Sequence, residues 1–303
     1  MTSMQPALPA FIEWMKSSQR AIEETLAGLL PASDSLPAAL PDAMRYAVLD
    51  GGKRVRALLA YAAGDLFEAP AGMLARAAAA VELIHAYSLV HDDMPCMDDD
   101  ALRRGKPTVH VQYGEATALL AGDALQTRAF ELLAAGAGLD DPARQLAMVR
   151  LLAEASGAEG MCGGQAIDLA SIGAVLDLPA LERMHRMKTG ALLRVSVLLG
   201  ALCGKTLTRD EENALTRYAD AIGLAFQVVD DVLDATADSA TLGKTAGKDA
   251  ADNKPTYVSI LGLERSSALA EQLRRDAHEA LRPFGDRAHR LRDIADLIVQ
   301  RKA

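Results

Sequence analysis

Apolar residues recur along most of this chain at the three- and four-residue spacing of a helix, rather than alternating as in a strand. Between Arg76 and Asp92 the residues Ala80, Leu83, Ile84 and Tyr87 follow that repeat, over a run well beyond strand length. Thr117 to Ala135, Gln145 to Ala158, Pro179 to Leu202, Arg209 to Leu233 and Ser266 to Leu281 read the same way. Turn-forming residues separate them at Pro31 to Pro41, Gly64 to Gly72, Gly136 to Pro142 and Ile172 to Pro179. The longest polar interruption, Asp238 to Pro255, is rich in Gly, Lys and Asp, and loops of that length are often functional. No composition shift marks a second domain and no clean internal repeat is present. The pattern predicts one all-α domain over residues 1–303, built from roughly a dozen helices.

Many of these helices are apolar over most of their circumference. Such helices need neighbours on several sides, which predicts a multilayer bundle able to enclose an apolar cavity. Composition adds exclusions. The 32 Lys and Arg against 41 Asp and Glu leave a net charge of −9, the wrong sign for a nucleic-acid binder. Cys96, Cys162 and Cys203 lack metal-site spacing and are odd in number, so neither a disulfide framework nor a zinc site is expected. The longest stretches without an acidic or basic side chain are Met1 to Ile12 and Val195 to Gly204. Both fall short of the about 20 residues that span a bilayer, and neither has the pattern of a signal peptide. The expectation is a cytoplasmic protein without a membrane span.

Against this apolar background the acids stand out. Asp92, Asp93, Asp98, Asp99 and Asp100 crowd into nine positions, at the end of the mostly apolar stretch Val81 to Val90. Like charges so concentrated need a cation, and carboxylate oxygens suit Mg2+. Asp92 and Asp98 can converge only if the helix breaks between them, and Pro95 supplies the break. A second cluster is Asp230, Asp231 and Asp234. Asp230 and Asp234 lie one turn apart, with Gln227 a turn earlier on the same stripe. Two acid-rich motifs, each closing an apolar helix, are far more specific than either alone.

Metal held by carboxylates commonly bridges to phosphate oxygens, so anion-binding cations should lie elsewhere in the chain. Lys53, Arg54 and Arg56 follow Gly51 and Gly52, and Arg103 and Arg104 follow the first acid cluster. Lys188, Lys244, Lys248 and Lys254 belong to later segments. Arg offers bidentate phosphate contacts and Lys a point charge. His85 lies two turns before Asp92 on one helix face, where it could serve the core or donate to phosphate.

In their order, Gly51 to Arg56, His85 to Arg104, Gly163-Gly164-Gln165, Lys188-Thr189-Gly190, Gln227 to Asp234 and Lys244 to Tyr257 resemble the short-chain trans-isoprenyl diphosphate synthase family. The resemblance covers roughly Tyr46 to Leu263 and is greatest to the family's bacterial farnesyl diphosphate group. There, two extra residues, here Pro95 and Cys96, sit inside the first aspartate motif. One departure is Ala57, where the family commonly has Pro.

The resemblance implies an all-α bundle around a central apolar cavity, usually as a homodimer. It implies that Asp92 and Asp98, supported by Asp93, hold two Mg2+ ions. Asp230, supported by Asp231 and Asp234, would hold a third, with Mn2+ as a substitute. Arg103, Lys188, Lys244 and Lys254 would grip the allylic diphosphate. Lys53, Arg56, His85 and Arg104 would bind isopentenyl diphosphate. Thr189 and Gln227 would face the allylic carbon, and Gln165 and Asp168 would lend support behind them. Tyr87, with Ser88 beside it, lies about 7.5 Å down the helix from Asp92, where an aromatic ring is associated with a fifteen-carbon product.

The implied reaction joins isopentenyl diphosphate head-to-tail to dimethylallyl or geranyl diphosphate, by ionisation, condensation and elimination. A geranylgeranyl diphosphate synthase is the alternative within the family. A class I terpene cyclase usually lacks the second Asp motif and the early Lys/Arg motif, and a non-catalytic partner subunit tends to lose one acid cluster. This chain carries all of them.

Overall fold

A computed structural model describes residues 7–34, 38–49, 51–135, 141–173, 176–236 and 255–301. The described chain is all-α, as its periodicity predicts, apart from one two-stranded hairpin. It falls into two compact units, residues 1–149 with 199–205 and residues 150–198 with 206–303.

In the first unit α1 (Ala7–Leu29), α2 (Ala39–Val48), α3 (Val55–Leu66) and α6 (Glu115–Ala134) all pack on α4 (Ala71–Asp92). The short α5 (Val109–Tyr113) joins α6 through Gly114, whose φ of 86° suits glycine. A helix with so many neighbours cannot keep a polar face. The burial of α4 accordingly runs around its axis, from Met73 and Leu74 through Ala77 to Ile84. Its alanines let the neighbours come close, and Gly64 of α3 does the same. A Cβ there would lie 2.5 Å from the Leu74 side chain. Leu83 and Ile84 are fully buried, each contributing about 1.5–3 kcal/mol of apolar burial.

In the second unit α11 (Arg209–Thr236) is the central helix, flanked by α9 (Leu178–His185), α12 (Tyr257–Leu261), α13 (Leu263–Ala280) and α14 (His289–Gln300). A capping box starts α11. The Thr208 hydroxyl accepts from the Glu211 amide at 3.3 Å, and the Thr208 amide donates to the Glu211 carboxylate at 2.8 Å. Asp177 caps α9 by accepting from the Ala180 amide at 2.9 Å. The remaining helices are α7 (Pro142–Ser156), α8 (Met161–Ala170) and α10 (Ala191–Gly204).

Two local features depart from the sequence pattern. Pro179 to Leu202 is not one regular helix, because a π-helical turn, Arg186–Gly190, separates α9 from α10. That turn sits where other backbones come unusually close. A Cβ on Gly164 would be 2.1 Å from the Lys188 amide nitrogen, and one on Gly223 would be 3.0 Å from the Gly190 Cα. Hydrophobic periodicity carries no sign of such a widened turn. The second feature is the hairpin of β1 (Leu102–Arg103) and β2 (Lys106–Pro107), which turns at Arg104 and Gly105 with φ of 52° and 74°. Arg-Gly is not a usual turn pair, so the sequence marks these residues as cations rather than as a hairpin.

Ala71–Asp92 and the continuous stretch Leu178–Gly204 are long and apolar enough to cross a membrane, although neither is free of charge. Most of each is buried inside the protein, as in core helices.

Candidate active site

Each acidic motif lies at the C-terminal end of its unit's central helix. Unpaired carbonyls make that end the negative pole of the helix, so carboxylates there are unfavourable without a counter-cation. In the first unit α4 stops at Asp92 and the chain doubles back. The Asp98 amide donates to the Asp92 carbonyl at 2.8 Å, and the Asp100 amide to the Asp93 carbonyl at 3.2 Å. The segment containing Pro95 thus bulges outward, and Asp98 returns beside Asp92. Asp93 points inward instead. It is 2% exposed, and the Arg103 Nε donates to its two oxygens at 2.8 and 2.7 Å. Burial pushes the Asp93 carboxyl above its usual range, and the Arg103 bonds offset part of that push.

The cations of this unit are sorted by the turn before α3. Arg54 adopts φ 52° and turns inward. Its guanidinium contacts Glu23 at 2.7 Å and Glu82 at 3.2 Å, and donates to the Val48 carbonyl at 2.5 Å. Glu82 also accepts from the Ala57 amide at 3.0 Å, which fixes the start of α3. Lys53 is exposed and Arg56 half-buried. The Lys53 carbonyl is pinned by Gln19 Nε2 at 2.9 Å. Arg104, at the hairpin tip, lays its guanidinium on the glycine pair. A Cβ on Gly52 would come within 2.8 Å of it. Tyr46 holds the hairpin by donating to the Pro107 carbonyl at 2.8 Å. His85 is held well below the usual imidazole range by desolvation and then by Arg56, Arg104, Arg103 and Arg54. It is therefore neutral at pH 7 and retains one N–H. Ser88 donates to the His85 carbonyl at 2.9 Å. Tyr87 is buried at 5% exposure on α4.

In the second unit the π-helical turn presents Lys188 and Thr189. Lys188 is ion-paired with Asp168 of α8. The Thr189 hydroxyl donates to Gln227 Oε1 at 3.4 Å, and Gln227 Nε2 donates to Asp231 Oδ1 at 3.2 Å. Asp231 Oδ2 accepts from the Tyr257 amide at 2.7 Å. Asp231 is buried, and a side-chain and a main-chain donor fix its carboxylate. Gln165 is also buried, and among the described residues its amide nitrogen and oxygen have no hydrogen-bond partner. Asp234 is buried, whereas Asp230 is half-buried and ion-paired with Arg301. Arg301 stacks over the Phe226 ring at 4.2 Å and donates to the Phe226 carbonyl at 3.0 Å. Lys244, Lys248 and Lys254 lie outside the described residues.

Among the described residues no three acidic, His or Cys side chains converge closely enough to hold a metal by themselves. The donor set nonetheless suits Mg2+. Its oxygens are hard, they lie at negative helix ends, and a bound phosphate can complete an octahedron. Sequence reasoning counted Arg54 among the phosphate-binding cations, whereas it turns inward onto Glu82, a partner that reading missed. Glu82 left a signal, because a lone acid within the apolar run Ala77 to Val90 demands a buried partner.

Comparison with known proteins places the chain in a family. Residues 37–283 match the family model described as polyprenyl synthetase. The chain is 54% identical over 285 residues to a probable farnesyl diphosphate synthase of Bradyrhizobium diazoefficiens, covering 93% of this chain and 85% of that one. It is 50% identical over 264 residues to the farnesyl diphosphate synthase of Escherichia coli, covering 86% and 88%. Its fold is similar to the apo crystal structure of an FPP/GFPP synthase from Zymomonas mobilis, with TM-score 0.86, 42% identity, and coverage of 96% and 99%. The chain belongs to the polyprenyl synthetase family. It is a prenyltransferase.

Proposed function

We propose that this prenyltransferase is a farnesyl diphosphate synthase, joining isopentenyl diphosphate to dimethylallyl and then to geranyl diphosphate. One observation carries the reading. Arg54, Arg56, Arg103 and Arg104 gather around a neutral His85 in the same unit as the Asp92 and Asp98 motif. A cluster of cations with an uncharged donor suits a diphosphate, and carboxylates alongside suit the divalent metal that accompanies one. The family match runs through both units, which supports a single catalytic domain.

In this reading Lys53, Arg56 and Arg104 bind isopentenyl diphosphate, to which His85 donates. Arg103, Lys188, Lys244 and Lys254 grip the allylic diphosphate. Asp92 and Asp98, and separately Asp230, would hold Mg2+ against diphosphate oxygens, with Asp93, Asp231 and Asp234 as orienting acids and three ions in all. Mg2+ supplies positive charge that stabilises the diphosphate as it departs.

The residues do the rest. The allylic C–O bond breaks and its electron pair leaves with the diphosphate, where Arg103 and Lys188 receive the charge. The hydroxyl oxygen of Thr189 and the carbonyl oxygen of Gln227 face the allylic cation. Apolar walls keep water away. The isopentenyl double bond attacks the cation, and a proton passes to the released diphosphate. Tyr87, with Ser88 beside it, forms the floor that limits the product to fifteen carbons. The protein works as a homodimer in the cytoplasm and accepts Mn2+ in place of Mg2+.

Incubation of the purified protein with isopentenyl and dimethylallyl diphosphates and Mg2+, followed by chromatographic sizing, tests the reading. Farnesyl diphosphate as the main product supports it. Geranylgeranyl diphosphate as the main product makes the longer-chain synthase the correct assignment. Absence of any condensation product refutes both.

A further inference from the structure

Gly122 sits inside α6, where a glycine costs about 1 kcal/mol of helix stability relative to alanine. The space it leaves is filled. A Cβ at this position would lie 2.0 Å from His91 Nε2, so the imidazole of α4 rests directly on the α6 backbone. His91 Nε2 lies 3.0 Å from the Leu119 carbonyl oxygen. A carbonyl only accepts, so this nitrogen carries the proton and the tautomer is fixed. One turn back on the same face, the Tyr87 ring meets the His91 ring edge-on, at 5.8 Å between centroids and 76° between planes. Aromatic pairs favour that geometry. His91 also directly precedes Asp92. A bare patch of α6 therefore seats a histidine, and the histidine backs a tyrosine ring.

We infer that the Gly122 seat and His91 are positioning elements that set the product length by fixing the Tyr87 ring. This rests on the reading of Tyr87 as the pocket floor. With Ala at 122, His91 must swing off α6 and lose the Leu119 carbonyl. The Tyr87 ring then loses its backing and turns into another rotamer, which opens depth beneath the growing chain. Rotamers interconvert at modest cost unless packing selects one, and the His91 edge is a selecting contact.

The test compares Gly122→Ala, His91→Ala, their double variant and Tyr87→Ala, each checked for folding by thermal unfolding. Product ratios are measured at matched conversion. The expected result is at least a fivefold rise in the ratio of twenty- to fifteen-carbon product for Gly122→Ala and for His91→Ala. The double variant should show no further rise, because both changes remove the same support. His91→Ala leaves the Gly122 position roomy, so it reports even if Gly122→Ala fails to fold. The inference is overturned if folded His91→Ala still makes only the fifteen-carbon product while Tyr87→Ala makes longer chains. If Tyr87→Ala itself leaves the product unchanged, the floor reading fails, and the inference falls with it.

Discussion

Arg54→Met tests how the early basic motif is held. The Arg54 and Glu82 side chains are 4% and 3% exposed, whereas Glu23 is 35% exposed. Methionine fills much of the same volume but strips Glu82 of its cation. The Ala57 amide stays as a donor to Glu82, and the Val48 carbonyl loses its Arg54 contact. Removing one partner of a buried pair costs about 3–5 kcal/mol, since the other charge is left uncompensated. The solvent-exposed side of the contact, to Glu23, adds little. Urea unfolding followed by circular dichroism at pH 7 measures the loss, as a lower midpoint at unchanged slope. Adding Glu82→Gln should recover part of it, because the orphaned charge disappears. Lys53 and Arg56 flank Arg54 in the sequence, so KM for isopentenyl diphosphate should rise roughly tenfold while kcat changes less. A stability loss below about 1 kcal/mol, or an unchanged KM, would refute the assignment of Arg54 as the anchor of this motif.

Two further outcomes follow from the second unit. Gly164→Ala puts a methyl 2.1 Å from the Lys188 amide nitrogen, so the π-helical turn must shift. Stability should fall by about 1–3 kcal/mol and kcat by more than tenfold, and full turnover in a folded variant would contradict the role given to that turn. His185 is buried and stacked on Tyr257 at 5.6 Å, with its pKa held down to about 4 by burial. As pH falls below 6.5 the unfolded chain takes up the proton first, so stability is lost between 6.5 and about 4, by up to about 3 kcal/mol. His185→Phe keeps the stack and removes the titration. Its stability profile over that window should be flatter, and an unchanged slope in chemical denaturation would count against a neutral buried imidazole.

Much of the fold was legible because long helices write their periodicity into the sequence. The break at Pro95 was legible too, since proline dictates it wherever it falls. The Arg186–Gly190 turn was not, because a widened helical turn leaves the apolar spacing almost unchanged while its cause lies at Gly164 and Gly223, far along the chain. The hairpin at Arg104 escaped for a related reason, as its turn relies on Arg104 tolerating φ 52° rather than on a turn-forming pair. Within the site, the acids and cations could be named from spacing, but not which of them look inward. Asp93 and Arg54 are buried while Asp92, Lys53 and Arg56 are not, and only tertiary packing decides that.

The placement of acids at the carbonyl ends of α4 and α11 has a consequence for engineering. Neutralising Asp92 or Asp98 removes negative charge from the carbonyl end of α4, so heat-resistance selections run without substrate will favour those changes. Libraries ranked by melting temperature alone would drift toward sturdy, inert enzymes. Pairing each round with a turnover screen keeps the electrostatic tension that catalysis requires.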